Sequence, residues 1–181
     1  MKYCSFCRAD IEWRIPDGDN RPRYVCSSCD SIFYDNPRIV AGTLPVYEGR
    51  ILLCKRAISP RKGYWTLPAG FMENGESTEE AAIRETLEEA SAPVELGALF
   101  SMITVPHISQ VHIFFLAQMP REEFSAGEES LEVRLFSPED IPWDELAFPT
   151  VGETLKLFLN QAAGPHVFDI RPDQAIHAGD D

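Results

Sequence analysis

The feature that most constrains the fold is a loop rich in helix breakers that runs directly into a short acidic helix. Proline and glycine interrupt regular structure over residues 68–75. Ser77 or Thr78 then supplies an N-cap, and acidic residues in the following turn suit the positive end of the helix dipole. We predict a helix of about three turns that ends near Ser91, with Pro93 as the stop.

The glutamates of this helix fall on one side. At about 100° per residue, Glu85, Glu88 and Glu89 share an arc. The opposite arc is expected to dock on the core and contains Ile83, Thr86, Leu87 and Ala90. Three carboxylates so close repel one another unless a cation lies between them, and hard oxygen ligands suit Mg²⁺ or Mn²⁺. The pattern predicts a divalent-metal site that acts on phosphates; a solvated acidic face is the alternative.

Charge and composition narrow the classes of partner. The chain has 181 residues, 44% of them hydrophobic, and a net charge of −13. This acidity argues against non-specific nucleic-acid binding and against an anionic membrane surface, so we expect neither partner. No apolar run approaches the roughly 20 residues of a membrane span, and the first residues lack an apolar signal core. We expect a cytoplasmic protein whose anionic substrate is bridged by a metal.

Four of the five cysteines lie near the start of the chain, in two Cys-x-x-Cys pairs separated by 18 residues. Cys4, Cys7, Cys26 and Cys29 fit a structural zinc site with four thiolates, in a segment too short to fold on buried apolar surface alone. Disulfides and a redox Cys-x-x-Cys are the weaker alternatives. Cys54 is expected to be a buried thiol in a strand.

The remaining pattern predicts a mixed sheet covered by helices. Predicted strands cover 38–47, 51–56, 64–68, 94–105, 110–119 and 133–136, and a second helix covers 150–161. Residues 121–132 are expected to form an acidic loop. The predicted organisation is a zinc ribbon at 1–35, a catalytic domain at 36–162 and a loosely ordered tail at 163–181.

The spacing around the acidic helix resembles the signature of the Nudix hydrolases. Gly70 is followed after five residues by Glu76, and after seven more by Arg84-Glu85-x-x-Glu88-Glu89. The signature has an apolar residue where Thr86 stands and a glycine where Ser91 stands. The resemblance implies an α/β/α sandwich and metal-dependent hydrolysis of a diphosphate bond.

The likeness extends over residues 1 to about 150 to a branch with an N-terminal zinc ribbon, whose plant members are FAD and ADP-ribose pyrophosphatases. It rests on the cysteine pairs, Asn36-Pro37, and the stretches 53–56, 65–70, 129–132 and 146–148. The resemblance implies a small-molecule substrate, ADP-ribose or FAD, and makes a homodimer a candidate assembly. The related NADH pyrophosphatases carry a proline-rich motif that is not present at 101–109, which argues against NADH as the preferred substrate. NADH or another dinucleotide is kept as the alternative substrate.

The resemblance also implies roles for individual residues. It makes Glu85, Glu88 and Glu89 the metal carboxylates, with the carbonyl of Ala69 completing the shell. Arg84 orients a glutamate, and two further residues support the loop, Gly70 and Glu76. The residue that acts as the general base differs between members of this family. Glu85 is the first choice here and Glu129 the second.

Two other classes of function stay open at this point. One is a catalytically silent Nudix domain that senses a ligand, and the other is a zinc-ribbon adaptor that binds a macromolecule. The intact carboxylates favour the enzyme. His107 and His112 are expected to be structural or exposed rather than catalytic.

Overall fold

The first 37 residues form a small antiparallel sheet in the computed structural model, which describes residues 1–172 of the chain. Its strands are β1 (Ile11–Arg14), β2 (Arg23–Cys26) and β3 (Ile32–Phe33), in the order β1-β2-β3. The buried hydrophobic side chains of this unit are Cys4, Val25 and Cys26. An apolar core of this size gives little stability. The unit therefore requires a further stabilising interaction.

A second unit begins at Arg38, two residues after the predicted boundary. It is built on a mixed sheet in the order β10-β5-β4-β9-β8-β11, with β6 paired to β5 and β7 paired to β4. The strands are β4 (Arg38–Tyr47), β5 (Arg50–Arg56), β6 (Trp65–Thr66), β7 (Ala69–Phe71), β8 (Glu95–Val105), β9 (Gln110–Gln118), β10 (Ser130–Phe136) and β11 (His166–Asp169). The pairs β4–β9 and β8–β11 are parallel, whereas the other pairs are antiparallel.

Two helices cover opposite faces of this sheet. Helix α1 (Thr78–Ala90) shares a buried cluster with Phe115, and helix α2 (Pro149–Leu159) shares another with Phe114. Successive residues of a strand point to opposite faces, so these two neighbours on β9 place the helices on either side. The predicted α/β/α sandwich is confirmed.

Helix α1 buries only part of the predicted face, Thr86 and Ala90. Ser77 is the N-cap and forms a capping box with Glu80, but Ile83 and Leu87 are 41% and 56% exposed. The buried residues are Ala81, Ala82, Thr86, Glu89 and Ala90. The prediction that Ile83 and Leu87 dock on the core is therefore wrong. The helix lies close to β4, where the Thr43 and Thr86 hydroxyls are 2.7 Å apart, and so close an approach admits small side chains.

Strands occur inside segments that were predicted as loop or tail. Strand β10 begins at Ser130, inside the predicted acidic loop, because it pairs with the end of β5. Within the predicted tail, His166–Asp169 forms β11 and pairs with residues 101–104 of β8, so this part is ordered by a sheet edge. The rest of that tail, residues 173–181, lies outside the described residues. Within residues 1–172, no helix has the length and apolar character required to cross a membrane.

The end of α1 gives a stability prediction. Ser91 caps the helix in the left-handed region at φ 47°, where a β-carbon is strained and the Nudix signature has glycine. We expect Ser91→Gly to raise the free energy of unfolding by about 0.5–1 kcal/mol, measured by urea denaturation. The control is Ser137→Gly, at an ordinary φ of −66°, which should be neutral or destabilising. An equal response of the two variants would contradict the strain at Ser91.

Candidate active site

A cavity of about 800 Å³ opens in the second unit beside α1 and the loop that precedes it. Strand β7 pairs with β4 from Ala69 to Phe71, which holds the loop against the helix. Seven of the eight residues predicted for this site line the cavity, namely Ala69, Gly70, Arg84, Glu85, Glu88, Glu89 and Glu129. The eighth, Glu76, is not among the lining residues but bonds to Arg84. The tertiary structure therefore gathers a set that spans 60 positions of sequence.

Glu89 lies against the sheet rather than on an open helix face. It is 7% exposed, and the N–H of Ala69 donates a hydrogen bond to its carboxylate at 3.2 Å. Burial raises the pKa of Glu89 to about 8, with repulsion from Glu85 adding to the rise. A buried carboxyl with so high a pKa gains most from a cation beside it, since a positive charge restores the ionised form.

Glu85 is held close to the backbone of the loop. A β-carbon on Gly70 would lie 2.3 Å from the Glu85 carboxyl group, so a larger residue at position 70 would displace this carboxylate. Burial raises the pKa of Glu85, while the hydrogen bond from Arg84 opposes the rise. The signature glycine is therefore explained by close approach, as its φ is not in the left-handed region.

Arg84 links the loop to the helix through four partners. Its guanidinium donates to Glu76 at 2.6 and 2.9 Å, to Glu85 at 2.6 Å, to Glu88 at 3.0 Å and to the Phe71 carbonyl at 3.2 Å. The hydrogen bond from Arg84 lowers the pKa of Glu76 to about 2. This arrangement agrees with the predicted orienting role of Arg84 and with a supporting role for Glu76.

The donor set of the cavity fits a hard divalent cation, although it is not drawn to a single point. Glu85, Glu88 and Glu89 offer carboxylate oxygens, the ligands that Mg²⁺ and Mn²⁺ prefer. Within residues 1–172, the cysteine cluster is the only group of three or more His, Cys, Asp or Glu residues whose ligand atoms all lie within 4.8 Å of one another. Arg84 occupies oxygens of Glu85 and Glu88, so a cation would share or replace these contacts.

The four predicted zinc cysteines do converge. Their sulfurs all lie within 4.8 Å of one another, with Cys4–Cys29 at 3.7 Å, Cys7–Cys29 at 3.6 Å and Cys7–Cys26 at 3.4 Å. A tetrahedral zinc site with Zn–S bonds of about 2.3 Å has sulfurs roughly 3.8 Å apart, whereas a disulfide needs about 2.05 Å. All five cysteines are free thiols, and Cys54 is buried as predicted. The cluster fits zinc.

Two further residues that line the cavity were not predicted from the sequence to belong to the site. Arg56 lies at the end of β5 and Gln110 at the start of β9, and both line the cavity. The position of Arg56 at the end of an apolar strand is a weak signal, and no spacing marks Gln110. Gln110 reaches the site through the sheet, because β9 pairs in parallel with β4. His112 also lines the cavity, and it is 8% exposed.

The burial of His112 makes stability depend on pH. Burial lowers the pKa of its imidazole to about 4, from an ordinary value of 6.5. The unfolded chain therefore binds a proton below pH about 6.5 that the native state does not bind, and stability falls with pH down to about 4. At pH 5 this effect lowers the free energy of unfolding by about 2 kcal/mol.

Urea denaturation at pH 7.5 and pH 5 measures the effect. From pH 7.5 to pH 5, the free energy of unfolding of the wild type should fall by about 2 kcal/mol more than that of His112→Gln, since the variant lacks the titrating ring. The same comparison for His107→Gln, at an exposed position, serves as the control. If His112→Gln and the wild type lose the same stability, the imidazole does not stay neutral in the folded protein.

Comparison with known proteins agrees with this geometry. The Nudix domain family model matches residues 36–158, and the model of the Nudix N-terminal zinc ribbon matches residues 2–35. The chain belongs to the Nudix hydrolase family and carries its N-terminal zinc ribbon. The predicted class of enzyme is thereby confirmed.

Relatives of different activities resemble this chain. It is 31% identical to the ADP-ribose pyrophosphatase of Methanocaldococcus jannaschii over 64% of this chain and 69% of that protein. It is 34% identical to the NAD-capped RNA hydrolase NudC of Chromobacterium violaceum over 72% of this chain, but spans only 48% of that relative. A Nudix hydrolase from Nitrosomonas europaea, known from its crystal structure, is 46% identical in sequence and superposes with a TM-score of 0.91. The match covers 94% of this chain and 99% of that chain.

Proposed function

We propose that this protein hydrolyses the diphosphate bond of a nucleoside diphosphate derivative, ADP-ribose or FAD, with Mg²⁺ or Mn²⁺. The observation that carries the proposal is the buried Glu89, which lies with Glu85 in one cavity and has a strongly raised pKa. Carboxylates in such surroundings are typical of sites whose charge balance is completed by a cation and a substrate.

Glu85, Glu88 and Glu89 would hold the cation, and the carbonyl of Ala69 is the additional ligand proposed from the family. A divalent cation supplies charge neutralisation at phosphate oxygens and a more acidic water. Arg84 orients the carboxylates of Glu85 and Glu88 through its charge-assisted bonds.

The general base has two candidates in the cavity. Glu85 is the first choice because burial raises its pKa, which makes a carboxylate a stronger base. Glu129 is the second, since it lines the same cavity directly before β10 and its charge acts on both Glu85 and Glu89. The pH dependence of kcat in Glu129→Gln separates them: an unchanged profile leaves Glu85 as the base.

The size of the cavity supports a substrate larger than a diphosphate. A volume of about 800 Å³ is in the range of sites for cofactor-sized ligands. The relative from Methanocaldococcus jannaschii is named for ADP-ribose, which supports that substrate. FAD is proposed from the resemblance of the zinc-ribbon branch, and NADH is the alternative.

A substrate panel tests the proposal. Release of AMP or FMN is measured from ADP-ribose, FAD, NADH and diadenosine polyphosphates, and release of nicotinamide mononucleotide is measured from an NAD-capped RNA, with Mg²⁺ and with Mn²⁺. We expect metal-dependent turnover of ADP-ribose or FAD that exceeds turnover of the others. Binding of these compounds without hydrolysis would instead indicate a ligand sensor, and preferred turnover of the capped RNA would overturn the small-molecule proposal.

A further inference from the structure

A row of side chains crosses the floor of the cavity away from the glutamates. Phe71 on β7 pairs with Val40 on β4, and Val40 pairs with His112 on β9. Residues directly opposite one another on paired strands point to the same face, so these three side chains lie in a row. With strands about 4.8 Å apart, the row extends roughly 10 Å from the loop beside α1 to β9.

The far end of the row is ordered by a chain of hydrogen bonds. His112 Nδ1 lies 3.0 Å from the Thr150 hydroxyl, and Nε2 lies 2.8 Å from Oε1 of Gln110. A neutral imidazole has one N–H and one acceptor nitrogen. Since Oε1 can only accept, Nε2–H donates to Gln110, and the Thr150 hydroxyl donates to Nδ1.

This chain leaves the amide nitrogen of Gln110 for a ligand. The amide oxygen is occupied by His112, whereas no residue in 1–172 is hydrogen-bonded to Nε2 of Gln110. Gln110 lines the cavity, and its Nε2 is not among the buried atoms without a partner, so solvent or a ligand reaches it. The amide N–H groups of Gln110 are therefore available to a ligand, with the amide held in place through its oxygen.

We propose that Gln110, oriented by His112 and Thr150, is a specificity-determining residue that donates a hydrogen bond to a ring nitrogen or ring carbonyl of the group beyond the diphosphate. The inference rests on the proposed function and adds to it the chemistry of that group: a heteroaromatic ring with an unprotonated acceptor. Gln110 would contact the ligand, and His112 and Thr150 would act as positioning residues.

The neighbouring aromatic residue suits such a ring. Phe148 lines the cavity and is the N-cap residue of α2, two positions before Thr150, so one helix terminus supplies both the aromatic side chain and the hydroxyl. The guanidinium of Arg56 lies 5.1 Å from the centroid of the Phe148 ring. A flat heteroaromatic ligand gains from contact with an aromatic side chain, and a hydrogen bond at its edge fixes its orientation.

Equilibrium binding tests the inference without depending on catalysis. AMP, FMN and ribose 5-phosphate are titrated into the full chain by calorimetry, with Mg²⁺ present. AMP and FMN carry a heteroaromatic ring, whereas ribose 5-phosphate does not, and none contains a diphosphate bond to hydrolyse. We expect Gln110→Met to raise the Kd of AMP or FMN by about 3- to 10-fold and to leave that of ribose 5-phosphate unchanged.

Two further variants make the test specific. Gln118→Met changes the same residue type at the exposed far end of β9, where its Nε2 donates to the Met119 carbonyl, and should leave every Kd unchanged. Thr150→Val removes the hydroxyl that fixes the imidazole, so it should weaken the same ligand as Gln110→Met, by about 2- to 5-fold. Thermal unfolding of each variant confirms that it is folded.

The outcomes for this inference and for the proposed function are distinct. Equal affinities of Gln110→Met and the wild type for both AMP and FMN overturn the inference, as does an equal loss for ribose 5-phosphate. If these affinities change as expected while the panel shows no hydrolysis, the inference stands and the proposed function fails. If the panel shows turnover, Gln110→Met should raise KM with kcat within about 3-fold, because a ring contact lies away from the reacting phosphate.

Discussion

Glu89→Gln should lower kcat by about 100-fold or more with ADP-ribose or FAD, while the protein stays folded. The substitution keeps the shape of the side chain and an oxygen that can accept from the Ala69 N–H. Because burial raises the pKa of Glu89 to about 8, folding without a metal requires protonation of this carboxyl, a cost that the neutral amide avoids, so the melting temperature of the metal-free protein should be unchanged or higher. Initial rates at saturating Mg²⁺ and thermal unfolding measure the two effects.

The matched control is Glu79→Gln on the same helix. Glu79 lies in the first turn of α1 and does not line the cavity, so the activity of the Glu79→Gln variant should stay within about 2-fold of wild type. Manganese binding, followed by electron paramagnetic resonance, should weaken in Glu89→Gln and not in Glu79→Gln. Wild-type rates in Glu89→Gln would remove Glu89 from the metal site and with it the main support for the proposed chemistry.

Removal of zinc should unfold the first unit. Its buried hydrophobic residues are Cys4, Val25 and Cys26, so two of the three are themselves candidate ligands. Structural zinc contributes about 10–16 kcal/mol in small zinc domains, far more than this core can supply. A chelator with a reducing agent should expose residues 1–37 to proteolysis. The second unit has its own buried clusters and should resist.

Metal analysis supplies a direct comparison. We expect one zinc per chain in the wild type and in Cys54→Ala, and none in Cys26→Ser, because Cys54 is a buried core thiol outside the cluster. Limited proteolysis should then cut Cys26→Ser in the first unit without added chelator. A wild type that carries no zinc, or a first unit that resists proteolysis after chelation, would rule out a structural metal.

The contribution of the sequence was uneven along α1. Spacing alone located the helix, its N-cap and the three glutamates, because capping and acid placement are local properties of the chain. The same periodicity assigned Thr86 and Ala90 correctly to the core but was wrong for Ile83 and Leu87, which are exposed. Hydrophobicity suggests which face docks, but the close approach of β4 selected small side chains instead.

The N-terminal cysteine pairs and the spacing from Gly70 to Glu89 were sufficient for the family, and the pattern of apolar residues was sufficient for the order of most strands. These are properties of neighbours in the chain, where residue type and separation carry the information. The tertiary structure alone decided that Glu89 is buried, that Gly70 makes room for Glu85, and that Gln110 reaches the cavity. Burial, and with it the raised pKa of Glu89 and the lowered pKa of His112, depends on strands paired across long separations, as β4 pairs with β9.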